Sequence, residues 1–452
     1  MLRTCAILNN EFQARTRDAD ELGLSRFVSE AHSGVPRASS LCVSFPRSVW
    51  ALKEFNLATE VSITTQKPTR IGAPVAAGKP FESPCLARPR LDGLTTLRFL
   101  AACHVILFHL KVQGIVTGGS WWYQNFVGIG YIGVNFFFVL SGFILVYTYA
   151  ADDLDPKRFW KARFARIYPA YVLSLAVTAP GFLFALRHLN LPFYVWSQRH
   201  FTLAALSTLL LLQAWIPQGA LTWNPVCWSL SVEAFFYFLF PFLSRRTRGL
   251  SGGKLLFAIA FLSLISLAIS AAYMVFHPDG ADKINSSEVT LLWKNLLSFN
   301  PIMRLPEFLI GMMAGRLFLS RKWNDQFGYF CILGGSAVIV LISALADRIP
   351  NPLISAGVLS PAFAAIIFGV AQQPRWTRFL GLKPLVLLGQ ASYSLYLLHS
   401  FVIEHAFDAT SHLPHGVRVT ICVVAAIGAS LLSYLLIEEP ARRFLRPRKT
   451  IS

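Results

Sequence analysis

From about residue 94 onward, long continuous apolar stretches alternate with short polar connectors. A bilayer core about 30 Å thick is crossed by roughly 20 apolar residues in a helix. Runs at 94–110, 131–150, 167–186, 228–243, 255–276, 303–319, 327–345, 352–371, 384–404 and 417–437 therefore predict membrane-spanning helices. A further run, Leu203 to Trp215, is short and is closely followed by Pro217. Since a lipid-facing backbone must satisfy its own hydrogen bonds, the pattern predicts an all-α polytopic bundle of about ten transmembrane helices, eleven if that run also crosses.

The connectors decide between ten and eleven. Basic residues cluster at Arg88/Arg90, Lys157 to Arg166, Arg245/Arg246/Arg248, Arg321/Lys322, Arg375/Arg378/Lys383 and Arg442 to Lys449. With ten spans every cluster falls on one side, which the positive-inside rule makes cytoplasmic together with both termini. With eleven, the clusters at 245 and 321 move outside. Ten spans in a bacterial inner membrane, both termini cytoplasmic, is the expectation.

Composition agrees: 54% of residues are hydrophobic, 14% are charged and mean hydropathy is +0.51, so the lipid bilayer is the first partner. The net charge of +18 lies in connectors and not along one polar face, so it reads as topology and no nucleic-acid partner is expected. Residues 1–86 mix both charge signs, include the Pro/Gly-containing stretch around Lys67 to Pro84, and lack any run of spanning length. They are expected to be a disordered polar extension, without the apolar core of a secretory signal, ahead of a membrane domain over 87–452. Cys5, Cys42, Cys85, Cys103, Cys227, Cys331 and Cys422 show no C-x-x-C pair, so neither a disulfide framework nor a metal site is expected.

Ionisable groups inside such runs are expensive and mark candidate chemistry. The first span, LDGLTTLRFLAACHVILFHL, holds Arg98 and His109. Eleven residues make three helical turns plus about 20°, so both lie on one face about 16 Å apart along the axis. His104 points elsewhere and reads as packing. In FWKARFARIYPAY, Arg163 and Arg166 neighbour each other on a helical face. Paired guanidiniums suit a phosphate or pyrophosphate, although ordinary positive-inside flanking would look the same.

The segment NPVCWSLSVEAFFYFLFPF sets Ser229, Ser231 and Glu233 at the start of an aromatic-rich helix. Glu233 either orients a histidine for acid/base work or caps a helix N-terminus. Arg304 and Glu307 stand at helical spacing in MRLPEFLIGMMAGRLF, and His399 lies well into SYSLYLLHS; these have a supporting or purely structural role.

Taken in order, LDGLTTLRFLAACHVILFH, GVNFFFVLSGFIL, RFARIYPAY, WSLSVEAFFYFLFP, RLPEFLIGM, SYSLYLLHS and IEEPARRF resemble the acyltransferase 3 family of integral-membrane O-acyltransferases of glycans, over about residues 91–445. The Arg-x10-His motif of that family corresponds to Arg98 and His109, and its Arg-x-x-Arg motif to Arg163 and Arg166. The resemblance implies a catalytic His109, with Arg98, Arg163 and Arg166 engaging a cytosolic acyl-CoA co-substrate, acetyl-CoA in the first instance, and no bound cofactor; Glu233, from its place in the sequence, is the carboxylate expected to work with His109. A glycan hydroxyl would be the acceptor. The chain departs from the family pattern at Ala234, where a second acidic or polar residue is usual, and at Asn135, where Asp is common. It stops soon after IEEPARRFLRPRKTIS, as in the stand-alone type without a C-terminal esterase-like domain.

His109 would act as general base toward the acceptor or as a transient acyl carrier. Ser141 in VLSGF reads as close helix packing rather than a nucleophile. Trp121, Trp122 and Tyr123 in the first outward loop fit an interfacial aromatic belt, with sugar stacking as the other reading. The rival class is a transporter or flippase of a glycan precursor, whose halves would show a pseudo-repeat; none is visible.

Overall fold

The structure, a computed structural model, describes residues 88–149, 154–189, 192–286 and 288–445. The extension expected over 1–86 and the basic residues after Leu445 lie outside the described residues. What is described is helical, with no strand among the described residues.

In chain order the helices are α1 Asp92–Val112, α2 Trp121–Gly128, α3 Ile132–Tyr149, α4 Pro156–His188, α5 Pro192–Arg199, α6 Phe201–Leu209, α7 Trp228–Thr247 and α8 Gly252–Phe276. They continue as α9 Leu292–Phe299, α10 Pro301–Ser320, α11 Asp325–Ala344, α12 Asn351–Ser355, α13 Ser360–Ala371, α14 Lys383–Ala409, α15 His415–Ser433 and α16 Glu439–Leu445. By length and apolarity, nine helical stretches among the described residues can cross a membrane: α1, α3, α4, α7, α8, α11, α12 with α13, α14, and α15 through α16.

The tenth expected span is α10, an apolar run set apart from these nine by its three charges, Arg304, Glu307 and Arg316. Its environment compensates: α10 packs against α3, α7, α8 and α13, and Arg304 and Glu307 are buried. The run 203–217 does not cross. It forms α6, nine residues long and hence about 13 Å, followed by a single 3-10 turn at Gln213–Trp215. Ten long helices remain.

Two glycines let α3 and α10 cross backbone against backbone. A side chain at Gly142 of α3 would collide with the backbone carbonyl of Phe308, and one at Gly311 of α10 with that of Val139. Contact of this kind, backbone on backbone, holds helices together where lipid supplies no hydrophobic drive. It also explains VLSGF: Gly142 makes the contact and leaves its neighbour Ser141 to line an interior cavity. At the periphery, Phe257 on α8 and Phe330 on α11 are 71% and 74% exposed. In water such faces promote association; against hydrocarbon they are solvated.

Candidate functional site

Near its start, α4 is capped by Asp155, whose side chain accepts from the Lys157 amide at 3.0 Å. The helix then carries Arg163 and Arg166 inward. They meet Arg98 from α1, and the three line a cavity of about 240 Å³ with Ser141 of α3, Ser229, Glu233 and Tyr237 of α7, and Tyr393 and Tyr396 of α14. Arg163 sits among the rings of Tyr149, Phe159 and Tyr237, 5.5–5.8 Å from their centroids, and donates to the Tyr149 hydroxyl at 3.0 Å. Its Nε is buried without a hydrogen-bond partner. Arg98 and Arg166 share an electrostatic neighbourhood with each other and with Glu233 and Glu438.

Three guanidiniums therefore face one lining carboxylate. With Glu438 nearby the guanidiniums still exceed the carboxylates by one, a partly buried excess that an anion would meet, and planar guanidinium forks match phosphate or carboxylate oxygens.

Glu233 belongs to this cluster and to neither arrangement expected of it. It lies in the second turn of α7, whose N-cap is Cys227, so it is past the capping position. Among the described residues no histidine is its partner; it accepts a hydrogen bond from the Tyr237 hydroxyl one turn on. Glu438 was not singled out in the sequence. The chain makes a π turn at Tyr434–Glu438, a feature often found at functional sites, and buries Glu438 against Ser394, whose hydroxyl donates at 3.0 Å. Its neighbour Glu439 turns the other way, pairing with Arg442 and Arg443.

His109 lies further along α1 and is not among the residues lining the arginine cavity. Its ring packs edge-on against that of His399, with centroids 4.8 Å apart and 67° between planes. Nδ1 of His109 contacts the Val105 carbonyl at 2.9 Å. A carbonyl only accepts, so Nδ1 carries a proton, and in the neutral ring Nε2 then keeps its lone pair, the tautomer a base requires. His399, fully buried, is held the same way by the Tyr396 carbonyl at 2.8 Å, and its Nε2 is 3.3 Å from the Ser400 hydroxyl. Tyr396 joins the two regions: it lines the arginine cavity, its hydroxyl meets Ser229 at 2.8 Å, and its ring centroid is 6.1 Å from that of His399.

The remaining candidates lie apart from these groups. Ser231 is buried, its hydroxyl 3.4 Å from the Ala214 amide. Arg304 and Glu307 form a buried ion pair at 2.8 Å; Arg304 also donates to the Ser298 carbonyl at 2.7 Å and to that of Ser355, tying the start of α10 to neighbouring segments. His104 contacts the Phe126 carbonyl at 2.8 Å and stacks on that ring. Asn135 donates to the Ser355 carbonyl at 3.2 Å, so the amide at this departure from the family pattern has a use that a carboxylate would lack. Trp121 and Trp122 are about half exposed and do not line the arginine cavity. Trp121 and Asn125 donate to Asp347 at 3.1 and 3.2 Å, and these bonds, the Trp121 one foremost, hold the Asp347 carboxyl below its ordinary range. Among the described residues, no group of His, Cys, Asp and Glu is arranged to hold a metal ion.

Tyr237, Tyr393, Tyr396 and Glu438 were legible only as members of their motifs. A carboxylate at the end of an apolar run, as in IEEPARRF, was the signal available for Glu438.

Comparison with known proteins follows the same span of chain. Residues 91–437 match the acyltransferase domain of the acyltransferase 3 family. Acyltransferase MdmB of Streptomyces mycarofaciens is 27% identical over 382 residues, covering 80% of this chain and 94% of that protein. Exopolysaccharide production protein ExoZ of Rhizobium meliloti is 27% identical over 332 residues, covering 71% and 92%. O-acetyltransferase OatA of Staphylococcus aureus is 27% identical over 379 residues, and there the match spans 78% of this chain but only 57% of the relative. No solved structure matches. The family match runs from α1 to the π turn that places Glu438, and on that extent the chain belongs to the acyltransferase 3 family and is a multi-pass membrane O-acyltransferase.

Proposed function

We propose that this enzyme moves an acyl group, acetyl in the first instance, from cytosolic acyl-CoA to a hydroxyl of an envelope or secreted polysaccharide. The observation that carries the reading is the cavity ringed by Arg98, Arg163 and Arg166, opened by the same helix that bears His109. Phosphate groups of the donor complete the charge of Arg163 and Arg166, and its uncharged thioester arm reaches on between the helices toward His109. The basic connectors at 245–248, 321–322 and 375–383 support a cytoplasmic side shared with Arg163. The membrane domain over 87–452 sits in the inner membrane with both termini cytoplasmic. That OatA is an O-acetyltransferase and ExoZ an exopolysaccharide production protein supports a sugar hydroxyl as acceptor.

In this mechanism His109 Nε2 takes the proton of the acceptor hydroxyl as its oxygen attacks the thioester carbonyl. The new C–O bond forms, the C–S bond breaks, and the departing thiolate takes the proton from His109. If transfer is sequential, Nε2 itself carries the acyl group between donor and acceptor. Glu233 and Glu438 balance Arg98 and Arg166 when the donor is absent.

The test is transfer of labelled acetyl from acetyl-CoA to envelope and secreted polysaccharide in membranes holding equal amounts of wild type or His109→Ala. Label that enters polysaccharide and is lost with the substitution is the expected result; no label from wild type across several acyl-CoAs would overturn the reading.

A further inference from the structure

A second cleft, of about 230 Å³, is built from the connector between α4 and α7 and the connector between α8 and α10. Successive spans run back and forth, so both connectors lie at the end of the bundle away from Arg163. The cleft is lined by Trp196, Arg199, His200, Gln218, Thr290 and Asn295 among others, with no carboxylate among its lining residues.

Its walls are built to stay in place. Asn295, 4% exposed, donates to the Pro217 carbonyl at 3.2 Å and to the Val289 carbonyl at 2.7 Å, so one carboxamide ties the two connectors together. Ser197 and Thr222 are hydrogen-bonded at 3.0 Å, fastening α5 to the same loop. Gly219 lies so near the indole of Trp196 that an added Cβ would meet ring carbons at 2.7 Å, and the His200 ring lies 5.5 Å from the indole.

The chemistry narrows the occupant. An acyl chain needs a continuous apolar lining, which Arg199, Gln218 and Thr290 interrupt, and the acyl-CoA donor belongs at the other end of the bundle. One aromatic ring beside amide, hydroxyl and cationic donors suits a ring that is apolar on its C–H face and hydroxylated at its edge. The volume is below the ~300 Å³ at which sites for drug-sized ligands begin, which is room for one such ring. We propose that this cleft is a saccharide subsite that holds a sugar ring of the acceptor remote from the hydroxyl being acylated. The proposal rests on the glycan-acceptor reading above, and it locates the acceptor on Trp196 and not on the exposed Trp121 and Trp122.

The test uses the purified full-length chain in detergent, labelled acetyl-CoA, and oligosaccharides of graded length prepared from the host's envelope polysaccharide. Wild type is expected to show an acceptor KM that falls as chains become long enough to reach the cleft. Trp196→Ala, and independently Gln218→Ala at an exposed position, should remove that gain and raise the KM for long acceptors about tenfold. The KM for acetyl-CoA and the turnover of the shortest acceptor should hold, and Trp196→Phe should keep most of the gain. A wild type indifferent to acceptor length, or a length dependence that survives both Trp196→Ala and Gln218→Ala, would overturn the subsite. If Trp196→Ala damages all acceptors alike, Gln218→Ala decides. Absence of label in any saccharide with wild type overturns the glycan-acceptor reading, and the subsite with it, and is distinct from either result above.

Discussion

A guanidinium in a membrane interior is tolerated where its charge and its fork of donors are both answered. Arg163 is answered on its faces by three aromatic rings but not at its Nε. Arg163→Lys keeps the charge and loses the fork and the ring stacking, so the KM for acyl-CoA should rise roughly tenfold with protein abundance unchanged, as measured by initial rates. His109→Ala should lower turnover by about 10²–10⁴-fold, the range of general acid–base contributions, with donor binding retained because the histidine is not part of the arginine cavity. Arg304→Met should instead act on stability. It strands Glu307, 1% exposed, at a cost of about 3–5 kcal/mol, read as a lower melting temperature in detergent. Arg98 and His109 stood out in the sequence because charge in an apolar run is rare, and Arg163 and Arg166 because two arginines three residues apart share a helical face. Glu438 and Tyr396 did not, since what distinguishes them is the company of residues far away in the chain.

At the scale of elements, α10 and the π turn show how helices carry polar groups to the interior. Gly311 lets α10 lie against the backbone of α3, so Gly311→Leu should separate the two helices and destabilise the fold by about 1–3 kcal/mol or more, with loss of monodisperse protein as the readout. The π turn at Tyr434–Glu438 holds one residue more than an α-helix would. Deleting one residue there should rotate Glu438 by about 100°, away from Ser394, and lower transfer while the helices before it remain folded, as circular dichroism and trypsin resistance would show. Helix existence was legible from apolar run length. The embedding of α10 was legible only as an apolar run interrupted by charge, and the π turn was not legible at all, because its extra residue is accommodated by contacts with α4 and α14 and not by local propensity.

For the whole molecule, ten crossings put the connectors at 189–224 and 277–300 on one side and those at 248–251 and 321–324 on the other. Single cysteines placed at Gln218 and at Asp282 should be labelled by an impermeant thiol reagent added outside intact spheroplasts, whereas one at Gly249 should react only after the membrane is opened; labelling of Gly249 from outside would reverse the orientation. By itself the sequence determined the helical class, the ten runs and the ionisable residues within them, because run length, charge and motif order are properties of neighbouring residues. Only the tertiary structure decided that Glu233 stands with the arginines and not with a histidine, that His109 has His399 beside it, and that Trp196 shares a cleft with a loop some hundred residues away. Those pairings depend on which helix faces meet, and interior faces in a membrane are chosen by small-residue contacts and buried polar bonds that no single segment encodes alone.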